Sequence, residues 1–369
     1  MQANYNYIRE VRFMYDSVDL IKDLSNANGL SGFEDDALQV IRNYVGNTLD
    51  IKEDTLRNLC LYRKNHTGKK PVVMLDGHTD EIGFMIQSIR PDGTMRFIAI
   101  GGWFSQNVGA SKVRIRNSQG QYVKGVVASK PPHFMKPSER TSIIEITDMV
   151  IDVGATSMEE VINQFKIEPG APVVPDVEFE INKNNGVMTG KAFDDRLGCA
   201  CVLETLSNLQ GLDLAVDLVG AMSAQEEVGL RGAGVTARQI KPNVAIVFEG
   251  TPSDDHFTDK HDSQAAMTKG PQIRHRDSSM IANPRFVKYA RDIALKENIK
   301  FQDAVRLSGG TDGGNIHTEN LGIPTIVIGI PVRYAHTHYG YASINDYKEA
   351  VRWAVAIIKN ITPDIISGF

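Results

Sequence analysis

The sequence predicts a mixed-sheet α/β domain interrupted by a small β-rich insert. Two observations carry this. Outside residues 82–182, short apolar runs alternate with segments that repeat apolar side chains at helical spacing. Inside 82–182, runs rich in Val, Ile, Phe and Thr (RFIAI, KVRIR, YVKGVVA, SIIEI) are broken by Gly, Asn, Pro and Ser, and helix signals nearly vanish. With 369 residues, the chain exceeds one typical domain and can bury a sizeable core. The expected division is 1–81 with 183–369 as one discontinuous α/β domain, and 82–182 as a barrel-like insert.

The elements follow in order. Residues 35–49 (DDALQVIRNYVGNTL) place apolar side chains at helical spacing, and an extended pair follows near 51–63. The run Pro71–Leu75 (PVVML) is short, β-branched and apolar, which predicts a buried strand. Within the insert, Ser157–Phe165 predicts a helix with Ser157 as its cap and Glu160 at the third position. Asp194–Leu209 predicts a helix with Cys199, Val202, Leu206 and Leu209 along one face. Strands are predicted at Leu212–Met222, Val244–Phe248 and Pro324–Ile330, and helices at Asn283–Asn298, Thr311–Asn320 and Ile344–Ile361. Buried strands alternating with helices argue for a largely parallel or mixed sheet covered on both faces.

Composition excludes some function classes. A net charge of −5 provides no basic field for nucleic acid. No stretch reaches the roughly 20 apolar residues of a membrane span. The first residues (MQANYNYIREVRFMYDS) lack the apolar centre of a signal peptide. Cys60, Cys199 and Cys201 match neither a disulfide framework nor a zinc knuckle, so buried thiols in a reducing cytoplasm are expected.

Chemistry gathers in five segments, four after apolar strands and one opening a helix, where α/β sheets place their ligands. After PVVML comes Asp76-Gly-His78-Thr-Asp80-Glu81: His78 can ligate a metal while Asp80 accepts its other ring N–H. Asp194 and Asp195 open a helix, where one of them can bridge two cations or simply cap it. Glu226 and Glu227 follow the strand ending at Met222; in a turn both can reach one site, one as ligand and one taking a proton from water. Glu249 ends the strand NVAIVF before a turn forced by Gly250 and Pro252, and either His336 or His338 can ligate after PTIVIGIP. Taken singly, most of these segments are better explained as caps and polar turns. Together they supply histidines and carboxylates that suit zinc, cobalt or manganese rather than an all-oxygen calcium cage. GxSxG, GxxxxGK[ST] and HExxH are absent. The run 309–314 (GGTDGG) predicts a tight turn, either bringing backbone close to a substrate or purely structural.

The stretches GHTDEIGF (77–84), IGGW (100–103), GKAFDDRLGC (190–199), SAQEEVGLRGA (223–233), GTDGGNIH (310–317) and GIPTIVIGIPVRYAH (322–336) span most of the chain. In them the chain resembles the M42 family of metallo-aminopeptidases, which includes glutamyl aminopeptidase and the tetrahedral TET peptidases. The resemblance implies an α/β catalytic domain with an inserted β dimerisation domain, dimers assembling to a dodecamer, and peptide substrates cut at the N-terminus. It implies two divalent metal ions, zinc or cobalt, held by His78, Asp194, Glu227, Glu249 and His336. One ion would take His78, Glu249 and Asp194, and the other Glu227, His336 and Asp194. Asp80 would support His78, and Glu226 would be the general base. Many relatives carry Asp at the position of Glu249 and Ala at that of Gly77; the second departure is expected to matter little.

Overall fold

Leu20, Ile21 and Leu24 recur at helical spacing and bury one face of α1 (Ser17–Asn26), a helix absent from the sequence reading. The computed structural model describes residues 16–369. The expectations placed on residues 1–15 lie outside them. Helix α2 (Asp35–Val45) stops at Gly46 instead of running to Leu49, and the chain turns into β1 (Leu49–Glu53) and β2 (Leu59–Arg63). The PVVML run becomes β3 (Val72–His78). Its Val73, Met74 and Leu75 are fully buried, each contributing about 1.5–3 kcal/mol of apolar burial.

The insert closes on itself. Strands β4 (Gly83–Ile89), β5 (Met95–Ile100), β6 (Lys112–Arg116), β7 (Tyr122–Val127), β8 (Ile151–Asp152) and β9 (Pro172–Pro175) form a barrel in the order 4-5-8-7-6-9. Its core is separate, built on Phe84, Phe97, Val113, Ile115 and Ile151. The Ser157 side chain accepts from the Glu160 amide, as a cap requires. Strand β10 (Glu180–Asn182), which the expected insert includes, instead pairs with β11 (Val187–Gly190) in the large sheet.

The large sheet is then completed. Helix α3 (Phe193–Asn208) precedes β12 (Asp217–Ser223), α4 (Arg231–Ile240) and β13 (Val244–Pro252). Next come β14 (Gln272–Arg276), α5 (Pro284–Lys296), β15 (Gln302–Val305), α6 (Gly313–Ile316) and β16 (Thr325–Arg333). β17 (Gly340–Ser343), α7 (Ile344–Asn360) and α8 (Pro363–Ser367) close the chain. The strand order is 1-2-12-3-13-16-17-11-10, with β14 and β15 branching from β16. The middle strands β12, β3, β13 and β16 are mutually parallel, and the flanking ones run antiparallel. Helix α3 packs across β3 and β13, and α4 against β12.

Two predicted elements shrink for identifiable reasons. The strand expected from Leu212 begins only at Asp217, because Arg63 holds the Leu209 and Leu212 carbonyls in a loop. The helix expected over Thr311–Asn320 is reduced to Gly313–Ile316; paired glycines weaken it, and Asn320 turns left-handed at φ 55°. No helix among the described residues is long and apolar enough to cross a membrane.

Candidate metal centre

Parallel pairing aligns the ends of β3, β12, β13 and β16 along one edge of the sheet. His78 ends β3, Glu226 and Glu227 follow β12, Glu249 lies within β13, and His336 follows β16. Asp194 reaches the same edge from the start of α3. Two glycines permit this convergence. A Cβ on Gly250 would lie 2.5 Å from the Asp194 Cα, so only glycine lets β13 approach the start of α3 so closely. A Cβ on Gly77 would lie 2.9 Å from the backbone of Gly198 and Cys199, so alanine there would require α3 to shift. That position matters more than the sequence suggests.

Ligand atoms of His78, Asp194 and Glu249 lie within 4.8 Å of one another, and so do those of Asp194, Glu227 and His336. Asp194 thus belongs to both groups. Its Oδ1 is 3.2 Å from His78 Nε2, and its Oδ2 is 3.5 Å from His336 Nε2. Glu227 Oε2 lies 3.5 Å from His336 Nε2. Glu226 Oε2 comes within 3.9 Å of His78 Nε2 but belongs to neither group.

The neighbours that were ambiguous in sequence point elsewhere. Asp195 accepts the backbone N–H of His78 at 3.0 Å and that of Gly198 at 3.0 Å. His338 is buried edge-on against Trp103 of the insert, and burial pushes its ring down to about 4. Asp80 lies 3.4 Å from His78 Nδ1, too long for a strong hydrogen bond. It accepts the Glu226 and Glu227 amides at 2.9 and 3.1 Å and the Ser31 hydroxyl at 2.6 Å. Ser31 is a contributor the sequence reading lacks. So is the Gly102 carbonyl, 2.9 Å from His336 Nδ1, although the IGGW stretch marks its position. In the run 309–314, Gly309 is left-handed at φ 79°, and Thr311 and Asp312 are buried, with Asp312 facing Asp76.

The donor set fits divalent cations. Glu249 Oε2 is buried without a hydrogen-bond partner. Among the described residues, no Lys or Arg pairs with Asp194, Glu226, Glu227 or Glu249; the first three face the two histidines. Burial, with Asp194 and other carboxylates nearby, pushes Glu227 and Glu249 well above the usual carboxyl range. Glu226 is pushed up to about 7, mainly by burial. Burial works the same way on Asp194, but His336 and His78 outweigh it and hold this carboxyl low. Burial lowers His336, and Asp194 and Glu227 override it and raise the ring to about 10. Four carboxyls face only two histidines, and such crowding of acid groups favours further positive charge at the centre.

The family model described as M42 glutamyl aminopeptidase matches residues 58–353. The chain belongs to the M42 family. The glutamyl aminopeptidase of Lactococcus lactis subsp. cremoris (strain MG1363) is 30% identical over 351 residues, covering 95% of this chain and 98% of that protein. The TET aminopeptidase of the marine sediment archaeon Thaumarchaeota archaeon SCGC AB-539-E09 superposes with a TM-score of 0.91 at 37% identity, covering 95% and 99% of the two chains. The Pyrococcus horikoshii TET1 peptidase, described as able to assemble into a tetrahedron or a large octahedral shell, gives 0.84 at 26% identity, covering 94% and 100%. As an M42 member this protein is a peptide hydrolase of a metal-dependent aminopeptidase family, and its architecture is the large mixed sheet with a separate barrel.

Proposed function

We propose that this M42 protein removes N-terminal residues from peptides with two divalent cations, zinc or cobalt. His78, Glu249 and Asp194 would hold one, and Glu227, His336 and Asp194 the other. The observation that supports this most is that Asp194 reaches both groups with separate oxygens, while Glu226 stands beside them and belongs to neither. When bound, the cations lower the pKa of a water and polarise the scissile carbonyl. Glu226, 3.9 Å from His78 Nε2 and in neither ligand group, would take a proton from the attacking water and hand it to the leaving amine. Asp80 fixes the Glu226 and Glu227 amides and faces His78. Asp194, Glu227 and His336 line a surface cavity with Ile82, Phe193 and Tyr334, against which a peptide end would dock. Its free α-amine meets a carboxylate-rich wall.

The base assignment is tested by Glu226→Gln. The variant should keep its bound metal and lose turnover by roughly 10²-fold or more. Hydrolysis of aminoacyl amides at the unaltered rate would refute the assignment. Matched N-blocked substrates should be poor; preference for them would make the protein a deacylase instead.

The barrel is the dimerisation surface in this proposal, with dimers building a dodecamer in the cytoplasm. It exposes Phe104 at 63%, Phe134 at 74% and Ile143 at 55%, an apolar display that a partner copy would cover. A stable monomer in sedimentation would overturn this.

A further inference from the structure

The two histidines of the centre are held in different ways. His78 ends a strand, and its side chain is 1% exposed. His336 lies on the loop after β16, and its side chain is 40% exposed. Its backbone is left-handed at φ 61°, as is that of Tyr334 at φ 62°, a conformation unfavourable for residues with a Cβ. Packing secures His78, whereas His336 needs another hold.

That hold comes from the barrel. The loop 101–103 follows β5 and approaches both residues that belong to the second ligand group alone. A Cβ on Gly101 would lie 3.4 Å from the Glu227 Cβ, and one on Gly102 would lie 2.8 Å from His336 Nδ1. The Gly102 carbonyl is 2.9 Å from the same Nδ1. A carbonyl oxygen only accepts, so Nδ1 carries the proton. Nε2, the atom facing Asp194 and Glu227, then keeps its lone pair for a cation. Trp103 adds a second point of attachment. Its ring stacks on Phe84 of the barrel core with centroids 4.6 Å apart and meets His338 edge-on at 5.0 Å. Its Nε1 is buried without a hydrogen-bond partner, so the indole acts through ring contact. Among the described residues, the hydrogen bonds and ring contacts of this loop reach neither His78 nor Glu249.

We propose that Trp103 is a positioning residue for the second cation: its ring, packed on Phe84 and against His338, holds the Gly102 carbonyl on His336. The barrel thereby sets the affinity of the group formed by Asp194, Glu227 and His336 and leaves that of His78, Asp194 and Glu249 unchanged. This rests on the reading that each group binds one cation.

The test is calorimetric titration of zinc into the chelator-stripped protein, where two groups give two binding events per subunit. His336→Ala and Glu249→Ala mark which event belongs to which group. Trp103→Leu keeps an apolar filling but loses the ring contacts. It should weaken the His336 event about tenfold or more and the other by no more than about threefold, the scale expected when a metal-bound histidine loses its support. Trp103→Phe retains a ring and should stay within about threefold in both events. Two variants approach the same contacts with Trp103 in place. Gly102→Ala puts a Cβ 2.8 Å from His336 Nδ1, and His338→Leu removes the ring that Trp103 meets. Both should weaken the His336 event. The proposal is overturned if Trp103→Leu, or His338→Leu should the former not fold, leaves the His336 event intact or weakens both events alike. It is also overturned if Trp103→Phe loses as much as Trp103→Leu. A single event in the unmodified protein defeats the two-cation reading and this inference with it, whereas two events that ignore these variants defeat the positioning role alone.

Discussion

Two buried charge clusters grow from the same two loops, and they are balanced in opposite ways. Glu81 follows Asp80, and its carboxylate accepts the Gly29 amide at 2.9 Å and Lys191 Nζ at 2.6 Å, with Arg196 at 3.7 Å. All three charged side chains are at most 2% exposed. Burial lowers Lys191 to about 8 against the attraction of Glu81. This cluster contains its own cations. A few residues away, Asp194, Glu227 and Glu249 gather with no Lys or Arg paired to them among the described residues. The difference shows that buried charge alone does not mark a site. An internally paired cluster holds segments together, whereas an uncompensated one recruits charge from outside.

The largest expected effect breaks the second cluster. Asp194→Ala removes the residue common to both ligand groups, so bound metal and hydrolysis should both be lost. Elemental analysis beside a peptide assay checks this, and retention of both ions would end the contrast. The first cluster should respond differently. Lys191→Met leaves Glu81 with the Gly29 amide and the distant Arg196, and breaking such a buried pair costs about 3–5 kcal/mol. Denaturant unfolding should show that loss while the metal content of the folded protein stays unchanged.

Glu34 belongs to neither cluster and sharpens the comparison. Its folded-state pKa, about 7, lies above the ordinary 4.5, so the folded protein keeps this proton longer than the unfolded chain. Its contribution is fully present below about pH 4.5 and disappears as pH rises through 7, amounting to about 3 kcal/mol. Unfolding measured across this range should show a decline that Glu34→Gln flattens. The smallest effect is expected from Glu249→Asp. It keeps the carboxylate but shortens it by one methylene, and should weaken one cation site by about tenfold at most, near 1.4 kcal/mol. Metal titration measures it, and loss of both ions would show that the two groups are not separable.

The apolar runs around Val73, Val247 and Val327 reveal buried strands in sequence because three adjacent β-branched or aliphatic side chains need cover on both faces. The periodicity of Ile344–Asn360 likewise shows α7. Strands β14 (QIRHR) and β15 (QDAV) escape the reading because charged branch strands carry no such pattern. Helix α4 escapes because its glycines dilute the helical signal.

At the site, sequence alone located the five segments and their chemical types, because strand ends in an α/β sheet are where polar groups can converge. Residue chemistry and spacing did not choose Asp194 over Asp195 or His336 over His338; only the family resemblance implied that choice. Those pairs have identical chemistry and near-identical position, so the choice depends on side-chain direction. Only tertiary packing set that direction. Asp195 turns back to the His78 and Gly198 amides, Trp103 from the barrel takes up His338, and Gly102 holds His336 towards Asp194. Each of these contacts joins residues distant in sequence or fixes a non-helical turn, and no local pattern encodes such geometry.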